Sequence, residues 1–265
     1  GEGWCFAIDA VSYLAVIASL LAMRLRPRPE VARAQKHVLV ELREGFHYAA
    51  SFAPIRAILL LLALVSFTGI PYTVLMPIFA SRVLHGGPHT LGLLMAATGV
   101  GAVIGALWLA SRPTVLGLGR TLSIAGALFG AALIAFSFSR ALWLSTLLLV
   151  LAGGGMMVQM AASNTLIQTM VDEEKRGRVM SFYTMAFFGM MPFGSLAAGW
   201  LGARIGAPAT VAWGGAATLL AVALFVRKLP ELRRQARPIY ERLGILPVIA
   251  DALNRTSELM TPPEE

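Results

Sequence analysis

The chain has 265 residues, of which 57% are hydrophobic and only 14% are charged. A soluble domain carries roughly 25% charged residues, so this composition excludes an ordinary soluble protein and indicates a membrane protein. The single cysteine, Cys5, excludes an internal disulfide and a cysteine-based metal site. The net charge of +8 would suit nucleic acid, but the basic residues lie between apolar runs, so no nucleic-acid partner is expected.

Seven apolar runs are long enough to cross a bilayer, which takes about 20 residues of helix. The runs do not alternate as the strands of a membrane barrel would, and an open strand cannot satisfy its backbone in lipid. The sequence therefore predicts an all-α membrane protein with seven transmembrane helices. They cover Trp4–Met23, Ile55–Ala80, Leu91–Ser111, Thr121–Phe138, Leu142–Met170, Val179–Ala203 and Ala209–Val226.

The first predicted helix, residues 1–23, carries Asp9, the only carboxylate inside a predicted span. A carboxylate in the bilayer is costly, so Asp9 is either a proton-coupling residue or a polar residue near the outer mouth. The stretch has no basic leader and no initiator Met, so it does not resemble a signal peptide. We expect the chain to be a fragment that begins inside a longer protein.

A polar linker, residues 24–54, separates the first predicted helix from the rest. Within it, apolar residues recur at helical spacing, which predicts an amphipathic helix on the cytoplasmic membrane surface. These residues are Val38, Leu42, Phe46 and Ala49.

The second predicted helix is interrupted by Pro71 and Pro77, with Tyr72 and Thr73 between them. Proline removes a backbone donor and frees a carbonyl. Broken helices of this kind line substrate cavities in transporters. Tyr72 and Thr73 are therefore candidate cavity residues, and a purely structural kink is the alternative.

Three amides recur along the fifth predicted helix: Gln159, Asn164 and Gln168. Amides buried in lipid must find partners, so these residues are either clasps between helices or cavity walls. Gln159 lies deepest and is the first candidate for substrate contact, with Asn164 as the second.

Glycines at short helical spacing predict close helix packing, because small residues let helices approach each other in lipid. The bundle could use them for static packing or for a surface that slides during transport. The candidates are Gly99, Gly101, Gly105, Gly189, Pro192, Gly194 and Gly199, with the further pairs Gly126/Gly130 and Gly202/Gly206.

The charged segment "DEEKRGRVMS", residues 172–181, places three acids and three bases in seven residues between two apolar runs. We interpret it as a cytoplasmic turn in which Gly177 permits a tight bend. Asp172, Arg176 and Arg178 could form part of a gate, and a plain solvated loop is the alternative.

The basic residues fix the expected orientation, since cytoplasmic loops are enriched in Lys and Arg. Of the 22 basic residues, only Arg82, Arg140 and Arg204 fall in the opposite set of loops. The charged segment and the C-terminus are therefore expected in the cytoplasm. Residues 229–265 are predicted to form a cytoplasmic tail that is interrupted by prolines and partly disordered.

The six predicted helices of residues 55–228 divide into two sets of three. The first helix of each set is polar or broken and the second is rich in glycine, a pattern typical of inverted transporter repeats. Three segments carry a more specific signal. They are "ELREGFHYAASFAPIRAILLLLALVSF" at 41–67, "LGLLMAATGVGAVIGALWLA" at 91–110 and "DEEKRGRVMSFYTMAFFGMMPFGSLAAG" at 172–199.

These segments resemble the major facilitator superfamily, in the bacterial branch that includes enterobactin-exporter-like and transmembrane secretion effector proteins. The resemblance implies a fold of two six-helix halves, of which this chain would supply the sixth span and the C-terminal half. It also implies a secondary-active exporter of small amphipathic molecules, working by alternating access in the bacterial inner membrane. The implied partners are the lipid bilayer, a small-molecule substrate and the missing N-terminal half.

The resemblance implies no bound cofactor, although a proton gradient commonly drives such proteins. No HExxH, GxSxG or phosphate-binding glycine loop occurs, so no enzymatic activity and no metal site are expected. His85 and His89 are expected together in a non-helical "HGGPH" loop. The alternative to a transporter is a truncated, non-transporting membrane protein that acts as a scaffold or partner.

Overall fold

Helices make up most of the part of the chain that the computed structural model describes, which is residues 2–23, 45, 47–112 and 114–244. Six of them are long and apolar enough to cross a membrane, as the predicted all-α membrane fold requires. These are α2 (Ala53–Val83), α3 (Pro88–Ala110), α4 (Leu118–Phe138), α5 (Leu142–Met170), α6 (Glu173–Ile205) and α7 (Ala207–Arg242). The first predicted span is also helical, as α1 (Glu2–Ala22), but its apolar part, Ala7–Ala22, is shorter. Its passage through a membrane stays a prediction.

The chain divides into two compact units, Gly1–His37 and Val38–Glu265. Helix α1 belongs to the first unit and the six long helices belong to the second. The predicted linker lies largely outside the described residues, and so do Val38, Leu42 and Phe46 of its expected amphipathic helix. Its last part is described: residues 47–51 are helical and Ala49 is buried in the core of the bundle.

Helix α6 begins at Glu173, well before the predicted start at Val179. Asp172 occupies the N-cap position, and Glu173 and Glu174 fill the first turn, where the helix dipole favours negative charge. Gly177 therefore lies inside the helix, and the prediction that it forms a tight bend was wrong. The change of direction falls just before Asp172 instead.

Helix α7 continues to Arg242, although the sequence predicted its end at Val226. It runs through Pro230 and Pro238, so the first part of the predicted tail is helical and not an interrupted coil. Leu232 and Ala236 of this extension are only 7% and 5% exposed. Packing of this apolar face outweighs the local cost of the prolines. The tail beyond residue 244 lies outside the described residues.

The packing of α2–α7 has an internal two-fold pattern. Helix α5 packs against α3 and α4, α2 packs against α6 and α7, and α4 packs against α7. Exchanging the first three helices with the last three reproduces these pairings, and α6 in addition packs against α7. This is the arrangement expected of the predicted 3+3 inverted repeat.

Corresponding helices of the two sets also carry the same short motif. Just after the end of α3, the guanidinium carbon of Arg112 lies 4.6 Å from the ring centre of Trp108. In α6, Arg204 and Trp200 repeat the contact at 4.3 Å. Since the two helices run in opposite directions, the two cation–π pairs lie at opposite ends of the bundle, where Trp and Arg suit the interface between lipid and water.

Close backbone contacts hold α5 against its two neighbours. A Cβ atom at Gly101 or Gly153 would overlap the carbonyl oxygen of Val150 or Thr98, respectively, so α3 and α5 touch through their main chains. On the other side of α5, a Cβ at Gly155 would lie 2.7 Å from the Ala125 carbonyl oxygen of α4.

The other predicted packing positions differ in their surroundings. Gly105 and Gly194 lie against the backbones of α5 and α2, whereas Gly189 meets only the Met185 side chain of its own helix. Gly99 and Gly199 have no atom of the described residues within 4 Å of an added Cβ, so a packing role for them stays a prediction. Pro192 lies in α6 just after a π-helical turn.

The crossing of α3 and α5 can be tested by adding one methyl group. Gly101→Ala should lower the stability of the bundle by about 1–3 kcal/mol, because the added atom cannot be accommodated without moving a backbone. Gly92→Ala, in the same helix, is the matched control because its Cβ would meet nothing within 4 Å. Unfolding midpoints in detergent measure both. Equal midpoints for the two variants would contradict the close crossing.

Candidate substrate cavity

The predicted interruption of α2 lies at residues 69–71. The helix is α-helical over Ala53–Thr68 and resumes at Tyr72, with Pro71 as the N-cap residue. Pro71 has no N–H for the carbonyl of Phe67, and the N–H of Tyr72 bonds Gly69 instead of Thr68. Two carbonyls are therefore released from the helical hydrogen-bond ladder.

Glycines on neighbouring helices cover both released carbonyls. A Cβ at Gly194 of α6 would overlap the Phe67 oxygen, and one at Gly214 of α7 would overlap the Thr68 oxygen. Only a residue without a side chain allows these backbones to approach so closely. The break in α2 is therefore seated against two helices of the other repeat.

Helices α2 and α6, which meet at the break, each contain a π-helical turn. One turn, Phe79–Val83, follows Pro77 in α2, and the other, Met185–Gly189, lies in α6. The hydroxyl of Ser66 donates to the carbonyl of Phe187, which ties the second turn to α2. Turns of this kind are frequent at functional sites and mark places where a helix can bend.

A cavity of about 240 Å³ opens between α2, α3 and α5, next to the break. Its walls contain five of the chain's 12 methionines, together with three hydroxyl side chains and no charged side chain. The residues that line it are Tyr72, Thr73, Met76, Met95, Thr98, Gly99, Ala102, Gly153, Met156, Met157 and Met160. Thioethers are soft and adaptable, so these walls suit apolar or aromatic groups of varied shape.

Tyr72 and Thr73, the two cavity candidates on α2, both line this space. Tyr72 is 3% exposed and its ring meets Phe129 edge-on at 6.2 Å. Thr73 is exposed and its hydroxyl donates to the carbonyl of Ile70 over 3.1 Å. The structure thus provides one fixed and one accessible hydroxyl. Contact of either with a substrate stays a prediction.

Gln159 does not line this cavity. It is 2% exposed, and a Cβ at Gly126 of α4 would lie 3.1 Å from its Oε1 atom. Neither its amide nitrogen nor its amide oxygen has a hydrogen-bond partner among the described residues. The sequence correctly indicated depth, but the amide points toward α4 and away from this cavity, so contact of Gln159 with a substrate stays a prediction.

Asn164 and Gln168 lie one and two turns further along α5, and they interact with each other. The Gln168 amide nitrogen donates to the Asn164 side-chain oxygen. Asn164 is also a side-chain neighbour of Tyr183 in α6, whose hydroxyl donates to the carbonyl of Met160 over 3.0 Å. The Tyr183–Met160 bond joins α5 to α6 next to Asn164, and a clasp role for Asn164 itself stays a prediction. Asn164 is not among the residues that line the cavity.

Asp9, the coupling candidate, lies on the exposed surface of α1. The backbone carbonyl of Asp9 accepts a hydrogen bond from Ser12 at 2.7 Å. Helix α1 belongs to the separate first unit, so a role in coupling stays a prediction. His85 and His89 do not share a loop as expected. His85 precedes α3, with a φ of 51°, while His89 lies in the first turn of α3, which Pro88 begins.

The predicted gate residues surround the start of α6. Arg176 lies 3.9 Å from Glu173, a long and exposed ion pair. The Lys175 ammonium lies 4.4 Å from the ring centre of Tyr48. Burial, together with the carboxylate of Asp172, raises the pKa of the Tyr48 hydroxyl above its ordinary value. A Cβ at Gly45 would lie 3.1 Å from the Cβ of Arg178, so the end of the linker packs directly on this charged segment.

The methionines were missed by the sequence-based choice of candidates. Met156, Met157 and Met160 lie on one face of α5 that borders the cavity. The available signal was their position: they directly follow three consecutive glycines and are spaced one and three residues apart. It could not be used without knowing which face of α5 the two neighbouring helices cover.

A family described as transmembrane secretion effector matches residues 1–255. The "Staphyloferrin A transporter" of Staphylococcus aureus (strain NCTC 8325 / PS 47) is 28% identical over 143 residues, which is 53% of this chain and 35% of the relative. The match therefore spans about a third of that relative's length. The mitochondrial "ATP synthase subunit 9" of Trichophyton rubrum is 38% identical over 70 residues, which is 85% of that protein but only 26% of this chain. The family match covers nearly the whole chain.

The unpartnered amide of Gln159 has a consequence for stability. Replacing it with Met keeps the volume and removes a polar group with no hydrogen bond, so Gln159→Met should leave the unfolding midpoint unchanged or raise it. Gln159→Ala should lower stability by roughly 2–5 kcal/mol, as a cavity in the core does. Unfolding in detergent measures both variants. A large loss in Gln159→Met would mean that the amide makes a stabilising bond.

Proposed function

Since the chain belongs to the transmembrane secretion effector family, we propose that it is half of a secondary-active membrane transporter that exports small amphipathic molecules by alternating access. The observation that carries this proposal is the cavity between α2, α3 and α5. It combines methionine walls with the hydroxyls of Tyr72, Thr73 and Thr98. Such a lining complements a ligand with an apolar body and a few hydrogen-bonding groups.

The absence of charged side chains from the lining narrows the substrate class. Among the described residues that border this cavity, none could neutralise a strongly ionic ligand. Burying an uncompensated charge is costly, so this half of the site favours neutral or weakly charged molecules. The complete cavity would be closed by the N-terminal half of the transporter.

Two helices present the surfaces that such a half would cover. Helices α3 and α6 are the least buried of the six, and apolar side chains such as Leu107 and Leu196 are 67% and 74% exposed. Gly99 and Gly199 face open space on these same helices. Small residues on an uncovered helix favour a close partner, as the resemblance to two-half transporters implies.

Movement between the two access states would use the flexible points of α2 and α6. The break at residues 69–71 and the two π-helical turns are places where backbone hydrogen bonds already depart from the helical pattern. The α2 carbonyls lie against Gly194 and Gly214, which have no side chain to oppose a sliding movement. Alternating access in transporters rocks one repeat against another about such points.

The family resemblance supports export as the proposed direction of transport and a proton gradient as the proposed driving force. Within the described parts of α2–α7, carboxylates occur only in the first turn of α6 and in the extension of α7. We therefore propose Asp9 of α1 as the coupling residue on this chain. The excess of basic residues at the ends where α5 and α7 finish favours a bacterial inner-membrane protein with a cytoplasmic C-terminus.

Transport by the complete protein in vesicles tests the proposal. Ala102→Trp fills the cavity and should lower the export rate of a small amphipathic dye by about tenfold or more, as expected when a ligand loses most of its apolar contact. Leu147→Trp adds the same bulk on α5, which also borders the cavity, at a residue that is 52% exposed and outside the cavity, and should leave the rate unchanged.

Dye flux under an imposed pH gradient is compared with that of empty vesicles. Equal flux with and without the protein would reject the transporter and favour a scaffold. Equal slowing by both tryptophan variants would reject the cavity as the route.

A further inference from the structure

A second cavity, of about 490 Å³, lies at the end of the bundle where α4 begins and where α5 and α7 finish. Its deeper walls are apolar and include Ile58, Leu166 and Phe225. Its outer part is bordered by Arg120, Arg233 and Arg237. The extension of α7, which the sequence did not predict, builds one entire side of it. We propose that this cavity binds an anionic phospholipid of the adjacent membrane leaflet.

Charge is the first argument for such a ligand. Arg237 is paired with Glu241 at 2.8 Å, and the nearby Arg234 is paired with Glu231 at 2.7 Å. Arg120 and Arg233 are exposed, and within the described part of the chain neither has a carboxylate within ion-pair distance. Two guanidinium groups therefore border the cavity with no carboxylate of the described residues to pair with them. Guanidinium groups recognise phosphate with good geometry.

The position of the arginines relative to the membrane is the second argument. Arg120 lies in the first turn of α4, whose N-terminus adds a favourable dipole for an anion. The apolar part of α7 ends at Val226, and charged residues begin at Arg227. The arginine side of the cavity is thus level with lipid headgroups and the apolar side is level with acyl chains.

The shape of the lining distinguishes a lipid from a soluble anion. A free phosphate needs polar partners on all sides, whereas the side chains below the arginines are apolar down to Phe225 and Leu166. A phospholipid satisfies both parts at once. Basic clefts between membrane helices on the cytoplasmic side are known to take anionic headgroups, and the proposed orientation puts this end in the cytoplasmic leaflet.

Bound lipid would also fasten the α7 extension to the bundle. The extension contacts the rest of the protein through Leu232 and Ala236, and a Cβ at Gly119 of α4 would lie 3.1 Å from the Leu229 side chain. The cavity lies between these two helices. An acyl chain there would fill the remaining gap and stabilise the pairing of α4 with α7.

Native mass spectrometry of the purified protein in detergent tests the proposal. The probes are phosphatidylglycerol and phosphatidylcholine with the same acyl chains. Phosphatidylglycerol should be retained preferentially. Arg120→Gln/Arg233→Gln should weaken its binding roughly thirtyfold, which corresponds to about 1 kcal/mol for each charge. Arg120→Lys/Arg233→Lys should restore most of the binding, which also shows that substitution at these positions leaves the fold intact.

Arg227→Gln/Arg242→Gln is the matched control, since it removes the same net charge from outside the cavity. It should retain the lipid as the unaltered protein does. Equal loss in the control variant would overturn the site in favour of a general charge effect. Equal retention of the two lipids would overturn the anionic preference. Displacement of the lipid by inorganic phosphate at the same concentration would identify a free-anion site instead.

Discussion

The contact of α5 with two helices at once, through glycines 153 and 155, is the constraint on which the rest of the bundle depends. Lipid surrounds helices with material as apolar as their own side chains, so helices associate through van der Waals contact at close range. Gly153 and Gly155 have no side chains, so the main chains of α3 and α4 can approach the backbone of α5 to that range. In the other repeat, α2 keeps its carbonyls and the glycines lie on its neighbours, at Gly194 and Gly214. Close backbone contact therefore depends on glycines of the central helix α5 in one repeat, and on glycines of the neighbours of α2 in the other.

This packing decides where space remains between the helices. Gly155 and Gly126 bring α5 and α4 into close contact around Gln159, which is sealed in the protein interior. On the side shared with α2 and α3, the break at residues 69–71 draws α2 toward α6 and α7. The space that remains is lined by flexible methionines. The same glycines therefore give α5 one closely packed side and one side that borders a cavity.

Much of the fold follows from the sequence, because a membrane span must be apolar over a fixed length. Helix α5 has the predicted bounds Leu142–Met170 for this reason. The end of α7 was missed because Pro230 and Pro238 indicate a break locally, while burial of Leu232 and Ala236 depends on helices far away in the chain. Nothing in the sequence distinguishes Gly99 from Gly101 as a packing position. Only the position of α5 shows that one is packed and the other faces open space.

The central claim is that the face shared by α2, α3 and α5 borders water inside the complete transporter. Single cysteines introduced into a Cys5→Ser background test it through labelling by a membrane-impermeant maleimide. Met157 and Val103 lie equally far into their helices, one on the cavity and the other on an exposed apolar face. The account predicts rapid labelling of Met157→Cys and little labelling of Val103→Cys. Protection of Met157→Cys, or equal labelling of the two, would contradict it.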